Sequence, residues 1–358
     1  MLRPTAAALL LASLSLSPAS LQAADTHVES SSASAVIEAL GATLDQFYVD
    51  RAVGSAYRQA LRRFLETGQA DGLSGEGLAK ALTTFLQQSH ADAHLAVYAP
   101  GSGIFGKEDE SGEPPLPENA YEASGWVVPG VAYIRPFAFF GRPGDIKRMQ
   151  NFVDAHADAK ALILDLRHHA GGEVAEIDVL AADLFDKPTD LAVMHTRTAG
   201  WDRFEPAADT PQLSVAKRDI NYVEQVHRAV PRKGGARMAK IPVYVLTSKR
   251  TASAGEHLAL VLKRTGRAVL IGETTYGAGN YGEEVELAGG FKLFVPYGET
   301  IDPDTRKGWE GTGVSPTVQV EAKQALNVAL QRLGVSSLAE TCPNVGEAGG
   351  AGKLAPSR

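Results

Sequence analysis

From Trp126 onward the chain alternates short apolar runs with helix-like runs, and this alternation constrains the fold more than any other feature. The β-like runs fall at 131–134, 161–166, 191–194, 241–246, 268–271, 285–287, 292–295 and 318–320, and the helical ones at 145–157, 173–185 and 254–264. The run 241–246 is apolar and rich in β-branched residues and reads as a buried strand. Strands interleaved with helices predict an α/β fold with a mainly parallel sheet. A final helix is expected over 322–333, and no internal repeat is present.

Upstream the periodicity is helical. Val36, Leu40, Leu44 and Tyr48 share one face, Leu61, Phe64 and Leu65 a second, and Leu78, Leu82 and Phe85 a third. These define a small helical N-terminal unit over 35–99. A stretch rich in Gly, Pro and acids follows and predicts a linker over 100–124, ahead of a core over 125–335. Residues 336–358 read as a disordered tail and 25–34 as a flexible lead-in.

Residues 1–24 have the pattern of a secretory signal peptide: Arg3 near the start, an apolar stretch over 6–16, a break at Pro18 and small residues at Ala23-Ala24. The stretch is short for a transmembrane helix, and a retained anchor is the alternative. The expected location is exported, periplasmic or extracellular, with no stable membrane insertion after signal cleavage. The single cysteine, Cys342, cannot form an internal disulfide and lies in the tail, where it reads as incidental. No Cys/His cluster has zinc spacing, so no metal or other cofactor is expected. The 358 residues carry a net charge of −7 with no basic patch, which points away from nucleic acid. The oligomeric state is not legible.

Two turns carry the chemistry. In Thr247-Ser248-Lys249-Arg250-Thr251-Ala252-Ser253-Ala254-Gly255-Glu256 a serine stands between the buried strand and a helix. Amide N–H groups and the positive dipole end there favour developing negative charge, so one turn can supply a nucleophile and half an oxyanion hole. Ser253 with Glu256 also fits a capping box, a purely structural role. In Asp165-Leu166-Arg167-His168-His169-Ala170-Gly171-Gly172 paired glycines follow another strand, where the backbone can approach a ligand closely; alone, this is an ordinary strand-to-helix turn. Both turns lie at carboxyl ends of strands, where α/β sheets bind ligands.

Together these segments resemble the C-terminal-processing, or tail-specific, serine peptidases of family S41. Asp165–Gly172 is similar to their D-L-R-x-N-x-G-G turn, and Thr251–Glu256 to their S-A-S-A-S-E turn with Ser253 at the nucleophile. Arg267–Gly277 is similar to the following R-A-x-x-x-G-E-x-T-x-G run, and Glu310–Pro316 to the late E-G-x-G-V-x-P motif. The resemblance covers about 126–320 and implies a ClpP/crotonase-like core. Two features depart from the Ser–Lys members: Ala278 stands where their lysine does, and there is no room for a PDZ insertion. The resemblance is then to the branch of the tricorn core and the interphotoreceptor retinoid-binding-protein modules.

In tricorn-like members the base is a histidine near the N-terminal unit, oriented by a glutamate. Ser89-His90-Ala91-Asp92-Ala93-His94 is similar to that segment; His94 is the expected base and His90 its rival. Glu310 matches the orienting acid, or else is a solvated loop carboxylate. The resemblance thus implies a Ser253–histidine–Glu310 relay hydrolysing protein or peptide substrates. Ala254 N–H and Gly171 or Gly172 N–H would hold the oxyanion. Lys249 and Lys263 read as solvated. The alternative is a non-catalytic binder of an apolar ligand or peptide, for which the aromatic run Tyr133–Phe140 offers a cleft lining, although that run also reads as strand and core.

Overall fold

The computed structural model describes residues 30–73, 75–104, 106–107, 117–204 and 209–335. The expected signal peptide, residues 25–29 of the lead-in, the tail and Cys342 lie outside them; residues 30–34, expected as flexible lead-in, open the first helix. The first elements are helices α1 (Ser30–Phe47), α2 (Arg51–Glu66) and α3 (Gly75–Ser89), then short strands β1 (Ala96–Tyr98), β2 (Ser102–Gly103) and β3 (Gly106–Lys107). There follow β4 (Tyr121–Val128), β5 (Val131–Pro136), α4 (Pro143–Ala155), β6 (Ala161–Asp165), α5 (Ala175–Leu184), β7 (Thr189–Arg197) and α6 (Thr198–Phe204). The chain continues through β8 (Leu213–Arg218), β9 (Tyr222–Ala229), β10 (Val243–Thr247), α7 (Ala254–Arg264), β11 (Val269–Gly272), β12 (Asn280–Glu286), β13 (Lys292–Ile301), β14 (Val318–Gln319) and α8 (Ala325–Arg332).

One sheet has the order β14-β11-β10-β6-β5-β4. Its first five strands run parallel and β4 pairs antiparallel with β5. The apolar runs of β6 and β10 have a physical cause here: both faces are covered. Leu162, Leu164, Val243 and Val245 pack with α4, α5 and α7 on one side, while Ala161, Ile163, Tyr244 and Leu246 pack with α8 on the other. This sheet is the mainly parallel α/β core expected from sequence.

The second sheet is antiparallel, with order β1-β13-β7-β9-β8 and β12 also on β13. The runs at 191–194, 285–287 and 292–295 belong here rather than to the parallel core. The helical unit shares its core with this sheet: Leu40, Leu44, Leu61, Leu78 and Leu82 cluster with Phe291, just before β13, and with Leu293 and Val295 of β13. Asp50 caps α2, accepting from the Ala52 and Val53 N–H groups at 2.8 and 3.1 Å.

Candidate active site

β6 and β10 are adjacent parallel strands, with Leu246 opposite Asp165, so the turns that follow them emerge side by side. The turns are also laced together. Thr251 Oγ1 donates to Leu166 O at 2.8 Å, Ala252 N–H to His169 O at 2.9 Å, and the Ser248 hydroxyl to Arg167 O. Beneath them Asp165 is fully buried, bound by Arg167 at 2.6 Å and by the Tyr133 hydroxyl at 2.6 Å. Arg167 and Tyr133 hold its carboxyl below the usual range against the opposing cost of burial.

Ser253 stands immediately before α7, with φ 50° and ψ −117°. A positive φ is uncommon outside glycine and marks local strain. The capping box read from sequence is present, and in it Ser253 N–H donates to Glu256 Oε2 at 2.9 Å. Ala254 follows as the first helical residue, its N–H outside the helix ladder. Gly171 and Gly172 have φ of 118° and 116°. A side chain at Gly172 would strike Phe139 O at 1.9 Å, and one at Gly171 would strike Ser253. The Gly171 N–H donates to His169 Nδ1 at 3.1 Å, which fixes that neutral imidazole with its proton on Nε2. His169 occupies the asparagine position of the turn motif. It is fully buried, its ring is set edge-on to Phe139, and burial pushes it down to about 3.

A second group forms where the loop after α3 meets Glu310 of the loop between β13 and β14. Asp92, His94 and Glu310 each offer one polar atom within 4.8 Å of the others. His94 stacks on Phe294 with ring centroids 5.7 Å apart, and its Nδ1 is buried without a hydrogen bond. Burial holds His94 below the ordinary histidine value, with Asp92 opposing. His90 lies apart: it is exposed, its ring is edge-on to Tyr57, and its carbonyl accepts from the Tyr57 hydroxyl at 2.8 Å.

Glu310 accepts three amides, from Ala93 at 2.8 Å, Gly279 at 2.7 Å and Asn280 at 2.9 Å. Burial, then Asp92, raises its carboxyl above the usual value. Asp92 accepts from the Tyr48 hydroxyl and Asn280 Nδ2, both at 2.8 Å, and from the amides of His94 and Leu95. This trio is a possible metal-ligand set by type. Its carboxylate oxygens are already engaged by these donors, which suits them to hold backbone rather than an ion.

Ala278 is buried and its N–H donates to Glu256. Lys249 is exposed, and Lys263, also exposed, donates to Ser315 O at 2.7 Å. Sequence reasoning did not mark Asp92, Asn280 or His169 as part of the site. Asp92 and His169 sit inside the quoted motifs; Asn280 had no local signal.

A strand–turn–helix serine beside a paired-glycine turn, on a mainly parallel sheet, defines the chain as an α/β protein. The model of peptidase family S41 matches residues 130–320, and the chain belongs to that family. The chloroplastic carboxyl-terminal-processing peptidase 1 of Arabidopsis thaliana is 28% identical over 193 residues, 54% of this chain and 34% of that protein. The carboxy-terminal processing protease CtpB of Bacillus subtilis is 22% identical over 165 residues, 46% of this chain and 28% of that one. The chain thus spans about a third of the length of the curated relatives it matches. Among solved structures, the photosystem II D1 C-terminal processing protease matches with TM-score 0.52 at 17% identity, over 86% of this chain and 99% of that one. Mature CPAF complexed with lactacystin matches with TM-score 0.55 at 12% identity, over 85% and 98%. At such identities the likeness is one of fold.

Proposed function

We propose that this chain is a serine peptidase acting on protein or peptide substrates, with Ser253 as nucleophile and His94 as general base. The observation that carries the reading is Ser253 itself, held at positive φ at a helix N-terminus against Gly171. Ser253 Oγ attacks the scissile carbonyl as His94 takes its proton. The oxyanion is received by the amides of Ala254 and Gly172, because the Gly171 amide is committed to His169. Collapse expels the amine, which takes the proton from His94, and water then repeats the sequence on the acyl-enzyme.

His94 is favoured over His90 because it shares a cluster with Glu310, whereas His90 is exposed beside Tyr57. Glu310 acts on His94 through the backbone, since its oxygens accept the Ala93, Gly279 and Asn280 amides. The branch without a lysine base and without a PDZ domain suits Ala278. The division into 35–99, 100–124 and 125–335 is part of the proposal, with α1 already beginning at Ser30 and β4 joining the core sheet already at Tyr121; export through residues 1–24 is part of it too. Among the described residues no helix is long and apolar enough to cross a membrane.

The test is labelling by a fluorophosphonate serine probe with Ser253→Ala as control. Labelling of the wild type and none of the variant is expected. Labelling of neither would leave the non-catalytic binder as the better account, and equal labelling of both would place the reactive group at a residue other than Ser253.

A further inference from the structure

Residues 275–280 cross between the two groups of the site, and their amides are shared out in a regular way. Gly277 and Ala278 N–H donate to Glu256 at 2.7 and 2.8 Å. Gly279 and Asn280 N–H donate to Glu310 at 2.7 and 2.9 Å. Each carboxylate takes one more amide from the chain it serves: Ser253 for Glu256, at 2.9 Å, and Ala93 for Glu310, at 2.8 Å. The Thr275 hydroxyl completes the set on Glu256. Four consecutive amides therefore form a strap, with the serine turn clamped to one half and the His94 loop to the other.

We propose that Glu256 is a positioning residue for the nucleophile. Its carboxylate holds Ser253 at positive φ and locks it to a strap whose far half carries the His94 loop. Glu256 is wholly buried, and its four donors converge from two separate stretches of chain, the serine turn and residues 275–278. An ionised carboxylate is the one side chain that accepts at both atoms without presenting a donor of its own. A serine at φ 50° tends to relax to negative φ, which would swing Oγ off Gly171 and re-aim the Ala254 amide. The N–H on Glu256 Oε2 opposes that relaxation. The role exceeds a helix cap, because a cap would engage residue 253 alone and not Thr275, Gly277 and Ala278. It also gives residue 278 a use that needs no lysine: its amide is one quarter of the clamp. The activity part of this inference rests on the serine-peptidase reading above.

The experiment compares Glu256→Ala and Glu256→Gln with the wild type, each shown by circular dichroism and melting to be folded at assay temperature. In Glu256→Gln the carbonyl can turn to Ser253 and Ala278 while the amide nitrogen donates to Thr275 Oγ1, so the Gly277 bond and the acceptor of the Thr275 hydroxyl proton are lost. The expectation for Glu256→Ala is fluorophosphonate labelling and kcat lowered about 100-fold with KM within about twofold; for Glu256→Gln it is a loss of about five- to tenfold. Equal losses in the two variants, or wild-type rates in Glu256→Ala, would overturn the proposal. If the alanine variant does not fold, the glutamine variant decides: a loss of about five- to tenfold in kcat at unchanged KM supports the clamp, and a wild-type rate overturns it. A crystal structure of the folded variant separates this inference from the activity it rests on. Ser253 at negative φ in Glu256→Ala supports the clamp, and Ser253 still at positive φ overturns it. If the wild type neither labels nor cleaves, the peptidase reading fails, and the serine φ alone judges the clamp.

Discussion

Gly171 and Ser253 are in contact: a β-carbon built on Gly171 would meet Ser253 Cβ at 2.8 Å and Ser253 Oγ at 3.4 Å. With φ at 118° the glycine also holds a conformation that other residues rarely adopt. Gly171→Ala should therefore push the nucleophile aside and strain the turn at once. The expected result is a folded protein of lower melting temperature whose kcat falls about 100-fold. Steady-state kinetics with a melting curve checks it, and an alanine variant of wild-type rate would show that this contact does not set the serine.

Glu310→Gln bears on the other end of the strap. Whichever way the new amide turns, its nitrogen faces at least one of the three N–H groups that the carboxylate now accepts. The Ala93 amide, and with it His94, should shift. In a serine-protease template the acid-to-amide change costs about 10⁴ in kcat through the imidazole tautomer. Because Glu310 binds backbone, a loss nearer 10² is expected. Unchanged kcat/KM with unchanged melting would remove Glu310 from the site.

The serine turn was legible because every part of it is local. Strand, turn, Ser253 and capping Glu256 are consecutive, and both faces of β10 are apolar. The antiparallel sheet was legible only as the runs at 191–194, 285–287 and 292–295, and not as a sheet of its own. In β9 the inward residues are Val223, Gln225, His227 and Ala229, so half of its buried face is polar and hydrophobic alternation fails. The bond between Ala93 and Glu310 spans 217 positions and runs through an amide, which has no sequence signature; only the resemblance joined those residues. The fate of residue 278 was half legible. Its lack of a base can be read from the sequence, but its amide bond to Glu256 cannot.

Lys249→Ala and Lys263→Ala should be nearly silent. Lys249 is exposed, and the Lys263 ammonium ends on the Ser315 carbonyl. Expected are kcat/KM values within about twofold of wild type and stability changes within about 1 kcal/mol. A loss from either variant as large as that from Ser253→Ala would establish a Ser–Lys dyad and displace His94.

Acid should act on the protein through histidines that the fold keeps neutral. His169 is pushed down to about 3 by burial. His257 lies well below its ordinary value through burial and then the neighbouring His227, with which it shares a 2.8 Å hydrogen bond; His227 in turn pairs with Asp178 at 2.9 Å. The folded state of such a histidine binds fewer protons than the unfolded chain. Its stabilisation is complete above about pH 6.5 and is lost as pH falls toward the folded value, at up to about 1.4 kcal/mol per pH unit for each group. His169→Asn restores the motif's usual residue, keeps an acceptor for the Gly171 amide and removes one titrating ring. Urea midpoints measured from pH 7 to pH 4.5 should fall less steeply for His169→Asn than for wild type, even if the variant starts lower at pH 7. Parallel slopes would show that His169 takes up no proton on unfolding in this range. The catalytic profile has the same sign, since His94 must be unprotonated to accept the serine proton. Its depressed value places the acid limb of kcat/KM below pH 6.5, and a limb centred above that pH would point to another base.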